Sequence, residues 1–171
     1  MGLIGKLFGG SKPPPDNHYH ELRKRALNVT TADLGLDPDP NAPIHAVIME
    51  TGYPDAVATF ACLRDGTVSL YLSTGGGVIG GGQHESVRTA CFEMLSITNK
   101  YAPDFLGACQ PVSSFALPGE GEVFFYLVTS DGVHQARCLE KTLVAQRDPF
   151  SALFNNCHAV MGEVRMIEEK R

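Results

Sequence analysis

Apolar residues recur at helical spacing in two long stretches. From His84 to about Tyr101 the stripe is Val87, Ala90, Cys91, Met94, Ile97 and Tyr101. From Pro149 to about Glu169 it is Phe150, Leu153, Phe154, Cys157, Val160, Met161, Val164 and Ile167. Such spacing predicts amphipathic helices, with Asp148 placed to cap the second and Pro149 in its first turn, where a missing N–H breaks no helical bond. One stripe per helix predicts packing on one face of a sheet.

The strands come from a different pattern. IHAVIMET (44–51), AVATFACL (56–63) and TVSLYLS (67–73) are rich in Val, Ile, Thr and Phe, with turn signals at Gly52-Tyr53-Pro54-Asp55 and Asp65-Gly66 between them. A second hairpin, VFFYLVTSDGVHQARC (123–138), is hinged on Asp131-Gly132, where glycine accepts the positive φ of a tight turn. FACLRDG and YLVTSDG echo each other, but one echo does not establish a repeat. The expected order is (α)-β-β-β-α-β-β-α: an α+β fold with an antiparallel sheet of about five strands and two main helices packed on it.

The first 43 residues read differently. MGLIGKLFGG sets Leu3, Ile4, Leu7 and Phe8 around Lys6, as on one side of a short basic amphipathic helix, and three prolines then impose an extended spacer. HYHELRKRALNV (18–29) has Tyr19, Leu22, Ala26 and Val29 at helical spacing, with Asp16 or Asn17 to cap it. ADLGLDPDPNAP (32–43) is a second proline-rich connection. The expected organisation is therefore residues 1–10 as an amphipathic basic segment, 11–43 as proline-rich linkers with a short helix, and 44–171 as a single α/β domain.

A chain of 171 residues and 18.4 kDa with 43% hydrophobic residues suits one core, large enough to need no disulfide or structural metal. The net charge of −5 argues against a general nucleic-acid binder, which needs a basic face to displace phosphate counterions. Residues 1–25 carry Lys6, Lys12, Arg23, Lys24 and Arg25 against Asp16 and Glu21, a net +3 that leaves −8 for the other 146 residues. A basic head precedes an acidic body.

Cys62, Cys91, Cys109, Cys138 and Cys157 are odd in number, lie 18 to 29 residues apart and form no close pair, so they read as reduced and mostly buried thiols, not as a zinc site or disulfide framework. No apolar run reaches the roughly 18 residues of a membrane span. A cytoplasmic setting is expected.

The densest anomaly is STGGGVIGGGQHES (73–86), with six glycines in eight positions between a strand and a helix. The candidate ligand-binding residues are Thr74, Gly75, Gly76, Gly77, Val78, Ile79, Gly80, Gly81, Gly82 and Gln83. Unobstructed amides beside a helix N-terminus suit a phosphate or carboxylate. The same glycines suit a tight corner where another backbone approaches closely, or a lid. Gly75, Gly77 and Gly80 satisfy GxGxxG without a compact βαβ unit, and Gln83 and His84 stand where a Walker loop needs Lys and Ser or Thr. Nicotinamide dinucleotides and nucleoside triphosphates are thereby disfavoured, and no cofactor is expected. Val78 and Ile79, apolar and β-branched amid glycines, suggest docking into a pocket or against a partner.

Catalytic candidates are few. His84 and Glu85, at the start of the helix, could serve as base and orienting acid, although Glu85 equally suits the helix dipole. Cys157 and His158 are helical neighbours pointing about 100° apart, so they cannot form a nucleophile–base pair along one helix. His18 and His20 form H-x-H without a nearby third ligand, so no metal is expected. Residues 1–8 suggest weak docking to a membrane or partner groove. Gly2 stands as for myristoylation, but Lys6 occupies the position that needs Ser or Thr.

The element order, with its glycine-turned hairpins and terminal helix returning across the sheet, resembles the profilin-like group that includes roadblock and longin domains. The resemblance covers roughly residues 44–168 and rests on element order and the Asp-Gly hairpins; the chain departs from it by placing three strands, not two, before the central helix. It implies a non-catalytic module that dimerises or scaffolds protein partners. The expected function is thus a binding or regulatory module, paired with itself as a homodimer, engaging a protein partner or small anion near the glycine loop; the alternative is an enzyme on a small phosphorylated or carboxylated substrate using His84, Glu85 and the loop amides.

Overall fold

A computed structural model describes residues 18–171. The segment 1–10, the three-proline spacer and the proposed caps Asp16 and Asn17 lie outside the described residues. Among the described residues seven strands form one sheet: β1 (Ala46–Gly52), β2 (Val57–Leu63), β3 (Val68–Leu72), β4 (Gly77–Val78), β5 (Gln110–Val112), β6 (Glu122–Thr129) and β7 (Gly132–Leu139). Their spatial order is β4-β3-β2-β1-β6-β7-β5, and every neighbouring pair is antiparallel. Five α-helices accompany them among the described residues: α1 (Tyr19–Leu27), α2 (Glu85–Lys100), α3 (Ala102–Gly107), α4 (Glu140–Val144) and α5 (Ser151–Glu168).

The α+β class and the antiparallel sheet match the expectation, while five strands and two main helices understate the fold. The additions are short. β4 is two residues inside the glycine loop, and β5 is Gln110-Pro111-Val112, whose proline can sit only at an edge. α3 follows α2 almost without interruption and carries Pro103 in its first turn, and α4 is a five-residue helix between β7 and α5. Four strands therefore precede the central helix.

Alternation along the strands divides the core between the two sheet faces. Val47, Met49, Phe60, Cys62, Leu70, Phe125 and Leu127 share a cluster with Val87, Cys91 and Met94 of α2 and Leu153, Cys157 and Val160 of α5. Ala46, Ile48, Ala61, Phe124, Tyr126 and Val128 share another with Ala26 and Leu27 of α1. The sheet is thus covered on both faces, α2 and α5 on one and α1 on the other. α1 belongs to the core that had been expected to start at residue 44: Tyr19 is 2% exposed and Leu27 1%.

The local signals act as their chemistry requires. Gly66 (φ +90°) and Gly132 (φ +128°) close the two Asp-Gly hairpins with backbone that other residues rarely adopt. Asp148 Oδ1 accepts the Phe150 N–H at 2.8 Å, and Ser151 Oγ accepts the Asp148 N–H at 3.2 Å, so Asp148 organises the entrance to α5 although Phe150 is the cap position. All five cysteines are free and buried. Among the described residues no helix is long and apolar enough to cross a membrane.

Candidate functional site

The glycine loop joins β3 to α2 in two steps. It first reverses the chain, with the Gly75 N–H donating to Leu72 O (2.9 Å) and the Leu72 N–H to Gly76 O (3.1 Å), so that Gly77 and Val78 pair back onto Tyr71 and Leu70. A short 3₁₀ turn, Gly81–Gln83, then leads through His84 into α2. Two glycines are required by space. A Cβ on Gly77 would lie 2.2 Å from Leu70 O, and one on Gly82 would lie 2.0 Å from Gly66 O, in the β2–β3 turn. These contacts place the loop backbone directly against β3 and the neighbouring hairpin, as a tight corner demands.

The corner leaves a groove of about 210 Å³ on its helix side. Gly77, Val78, Ile79, Gly80, Gly81, Gln83 and His84 line it from the loop, Val87 from α2, and Val164, Ile167, Glu168 and Arg171 from the far end of the chain. Of the residues singled out in the sequence, Thr74, Gly75, Gly76, Gly82 and Glu85 lie outside that lining. The α5 wall was not expected as part of a site: in the sequence Val164 and Ile167 stand only as members of an apolar helical stripe. It becomes recognisable only when α5 packs beside α2.

Val78 and Ile79 part company. Val78 is half-buried against the core, whereas Ile79 is 66% exposed at the groove rim. The loop amides are partly committed to the fold, since Gln83 N–H donates to Gly80 O and His84 N–H to Gly81 O, both at 3.1 Å. That reduces the amide cradle available to an anion. Arg171 Nη1 lies 3.2 Å from Glu168 Oε1, so the groove's guanidinium is already paired. His84 lines the groove while Glu85 is exposed outside it, and the lining holds no serine, threonine or cysteine.

Other candidates resolve into structure. Cys157 is 0% exposed between α5 and the sheet, where burial pushes its thiol pKa up; Cys62 is likewise raised by burial and by the neighbouring Cys91 thiol. Burial lowers the pKa of His158, whose ring packs edge-on against Phe154 at 4.4 Å. His18 and His20 are both exposed, and His18 Nδ1 lies 3.3 Å from Glu21. Among the described residues no three His, Cys, Asp or Glu side chains are grouped to hold a metal.

The main polar cluster lies elsewhere, under α1. Glu50, in the central strand and 0% exposed, receives Arg23 Nε on Oε1 (2.6 Å) and Arg23 Nη2 on Oε2 (3.0 Å). Thr59 donates to Oε1 at 3.0 Å, and its own oxygen lies 2.7 Å from the Tyr19 hydroxyl. Arg23 also donates to the carbonyls of Phe115 (2.9 Å) and Ala116 (3.4 Å). Burial disfavours the Arg23 charge, but the Glu50 hydrogen bond and negative charge outweigh it and raise the guanidinium pKa. With Glu50 and Arg23 each held by several partners, this cluster fastens α1 to the sheet.

Compared with known proteins, the chain matches no family model, no curated protein and no solved structure.

Proposed function

We propose that the chain is a non-catalytic binding or regulatory module that engages a protein partner at the glycine loop. The observation that carries this reading is Ile79: a β-branched apolar side chain, 66% exposed, presented at the rim of a groove by backbone packed against β3 and the β2–β3 turn. Full burial of such a side chain contributes about 1.5–3 kcal/mol, enough to make it an anchor at a partner surface. The internal bonding of the loop amides and the Glu168–Arg171 pair favour a protein over a small anion. The separation of Glu85 from the groove likewise favours binding over catalysis by His84 and Glu85.

The profilin-like resemblance suggests a second copy of the chain as that partner, in a cytoplasmic homodimer. Light scattering after size exclusion at tens of micromolar tests this. A dimer that Ile79→Asp converts to a monomer supports the reading; a wild-type monomer removes the homodimer, and a dimer indifferent to Ile79→Asp removes the loop from the interface. Inorganic phosphate titrated while the Gly80–Gln83 amides are followed by NMR tests the anion reading separately.

A further inference from the structure

The two ends of the sheet are finished differently. At one end the glycine loop folds β4 against the outer side of β3. At the other, β5 covers only part of β7: Gln110, Pro111 and Val112 lie opposite Gln135, His134 and Val133, and the pairing stops there. β7 continues to Leu139 with β6 on one side and, among the described residues, no strand on the other.

The register decides which backbone groups are left over. Glu140 N–H donates to Gly121 O at 2.9 Å, extending the β6–β7 ladder. Alternate residues back from Glu140, namely Cys138 and Ala136, therefore turn their N–H and C=O toward β6, while Arg137 and Leu139 turn theirs outward. Leu139 O accepts the Thr142 hydroxyl at 2.8 Å. The Arg137 N–H and C=O and the Leu139 N–H face outward where a further strand would pair.

A cavity of about 420 Å³ lies against this stretch, lined by Ala108, Gln110, Arg137, Cys138, Asp148 and Phe150 among others. Arg137 is exposed, lies over the Phe124 ring at 4.7 Å and donates through Nε to Gln135 Oε1 at 3.1 Å; its Nη nitrogens make no hydrogen bond among the described residues.

We propose that the outer edge of β7 from Ala136 to Leu139 is a strand-addition site for a short extended peptide of a partner protein, with an acidic residue opposite Arg137 and a small apolar residue beside it over Phe150.

Main-chain groups give such a site its affinity and alternate side chains its selectivity. Three added residues span about 10 Å and supply the carbonyls and N–H that Arg137 and Leu139 lack. Neighbouring side chains on an added strand point to opposite faces of the sheet. The one beside Arg137 meets a guanidinium, and the next meets Phe150 and Asp148. Asp148 already holds the Phe150 N–H at 2.8 Å and the Cys138 thiol at 3.7 Å, and its charge disfavours a second carboxylate on that face. A second copy of the chain pairing by this edge about Arg137 would set two arginines opposite each other, which is destabilising. The site is at the opposite end of the sheet from the glycine loop and stands independently of the function proposed there.

Displayed random peptides of about seven residues, selected on the immobilised 171-residue chain, test the proposal. The expected winners carry Asp or Glu flanked by small or β-branched residues. In a synthetic winner, N-methylation of the residue opposite Arg137 should weaken binding about tenfold or more. Arg137→Glu should shift preference from the acidic peptide to its Lys counterpart while the chain stays folded, its melting temperature lowered only by the loss of the Phe124 and Gln135 contacts, and the bound peptide should slow hydrogen exchange at the Arg137 and Leu139 amides. A selection without binders, or binders indifferent to both N-methylation and Arg137→Glu, overturns the proposal. Protection of those amides that grows with protein concentration alone would mean pairing between copies, and also overturns it.

Discussion

The two faces of the sheet are held by different physics. On the α2 and α5 face, Phe125, Leu127, Leu153, Cys157 and Val160 pack without a charged group, each large apolar side chain contributing about 1.5–3 kcal/mol through burial. On the α1 face, a nine-residue helix with no side-chain cap is fastened through Arg23, Glu50, Thr59, Tyr19 and Tyr126 over a smaller apolar patch. Many interchangeable contacts tolerate the loss of one. A buried ion pair does not, because removing one partner leaves the other charged and dry.

The sharpest way to break the comparison is Arg23→Ala. It should destabilise the chain by about 3–5 kcal/mol in urea unfolding, whereas the double change Arg23→Met with Glu50→Leu should recover most of that loss. A double variant as unstable as the single one would mean that α1 is held by its apolar contacts instead. Next, Leu153→Ala on the other face should cost about 3 kcal/mol, while Leu153→Met should cost less than about 1.5 kcal/mol. Arg23→Lys, which loses the two-pronged contact with Glu50, should be tolerated less well than that volume-conserving exchange.

Smaller effects separate the helices themselves. Asp148→Ala should cost about 1 kcal/mol by freeing the entrance to α5, and an alanine at His18, whose side chain makes no capping bond, should leave stability nearly unchanged. The smallest effect at neutral pH belongs to the tyrosines of the α1 face. Burial, and then the Glu50 charge, push Tyr19 and Tyr126 from the ordinary 10 up to about 12, and Tyr71 rises for the same reasons. Between pH 10 and about 12 the unfolded chain gives up these protons before the folded one does. Their contribution is therefore complete below pH 10 and lost as pH rises through about 12. Tyrosine absorbance should reach its end point only with alkaline unfolding; a full, reversible titration of the folded chain near pH 10 would contradict this.

The same contrast explains what could be read beforehand. The stripes of α2 and α5 and the turns at Gly66 and Gly132 are local signals, visible in a window of a dozen residues. The Arg23–Glu50 pair joins residues 27 apart, and Arg23 looked like one more member of a basic head. The one clue was Glu50 itself, in phase with Ala46 and Ile48 at the end of an apolar strand. β4 and β5 have no sequence signature of their own, since one is half glycine and the other contains proline; only β3 and β7 make them strands. The glycine loop was conspicuous, but its second wall, Val164 to Arg171, comes from 80 or so residues away and is assembled by helix packing.

All five cysteines belong to the core cluster on the α2 and α5 face, and none to the cluster under α1. Cys109 and Cys138 are pushed up to about 12, by burial in both and additionally by Asp148 at Cys138. The chain therefore carries a built-in one-sided clock. A thiol-alkylating reagent will time the opening of one half of the molecule, while a helix leaving the other half passes without a mark.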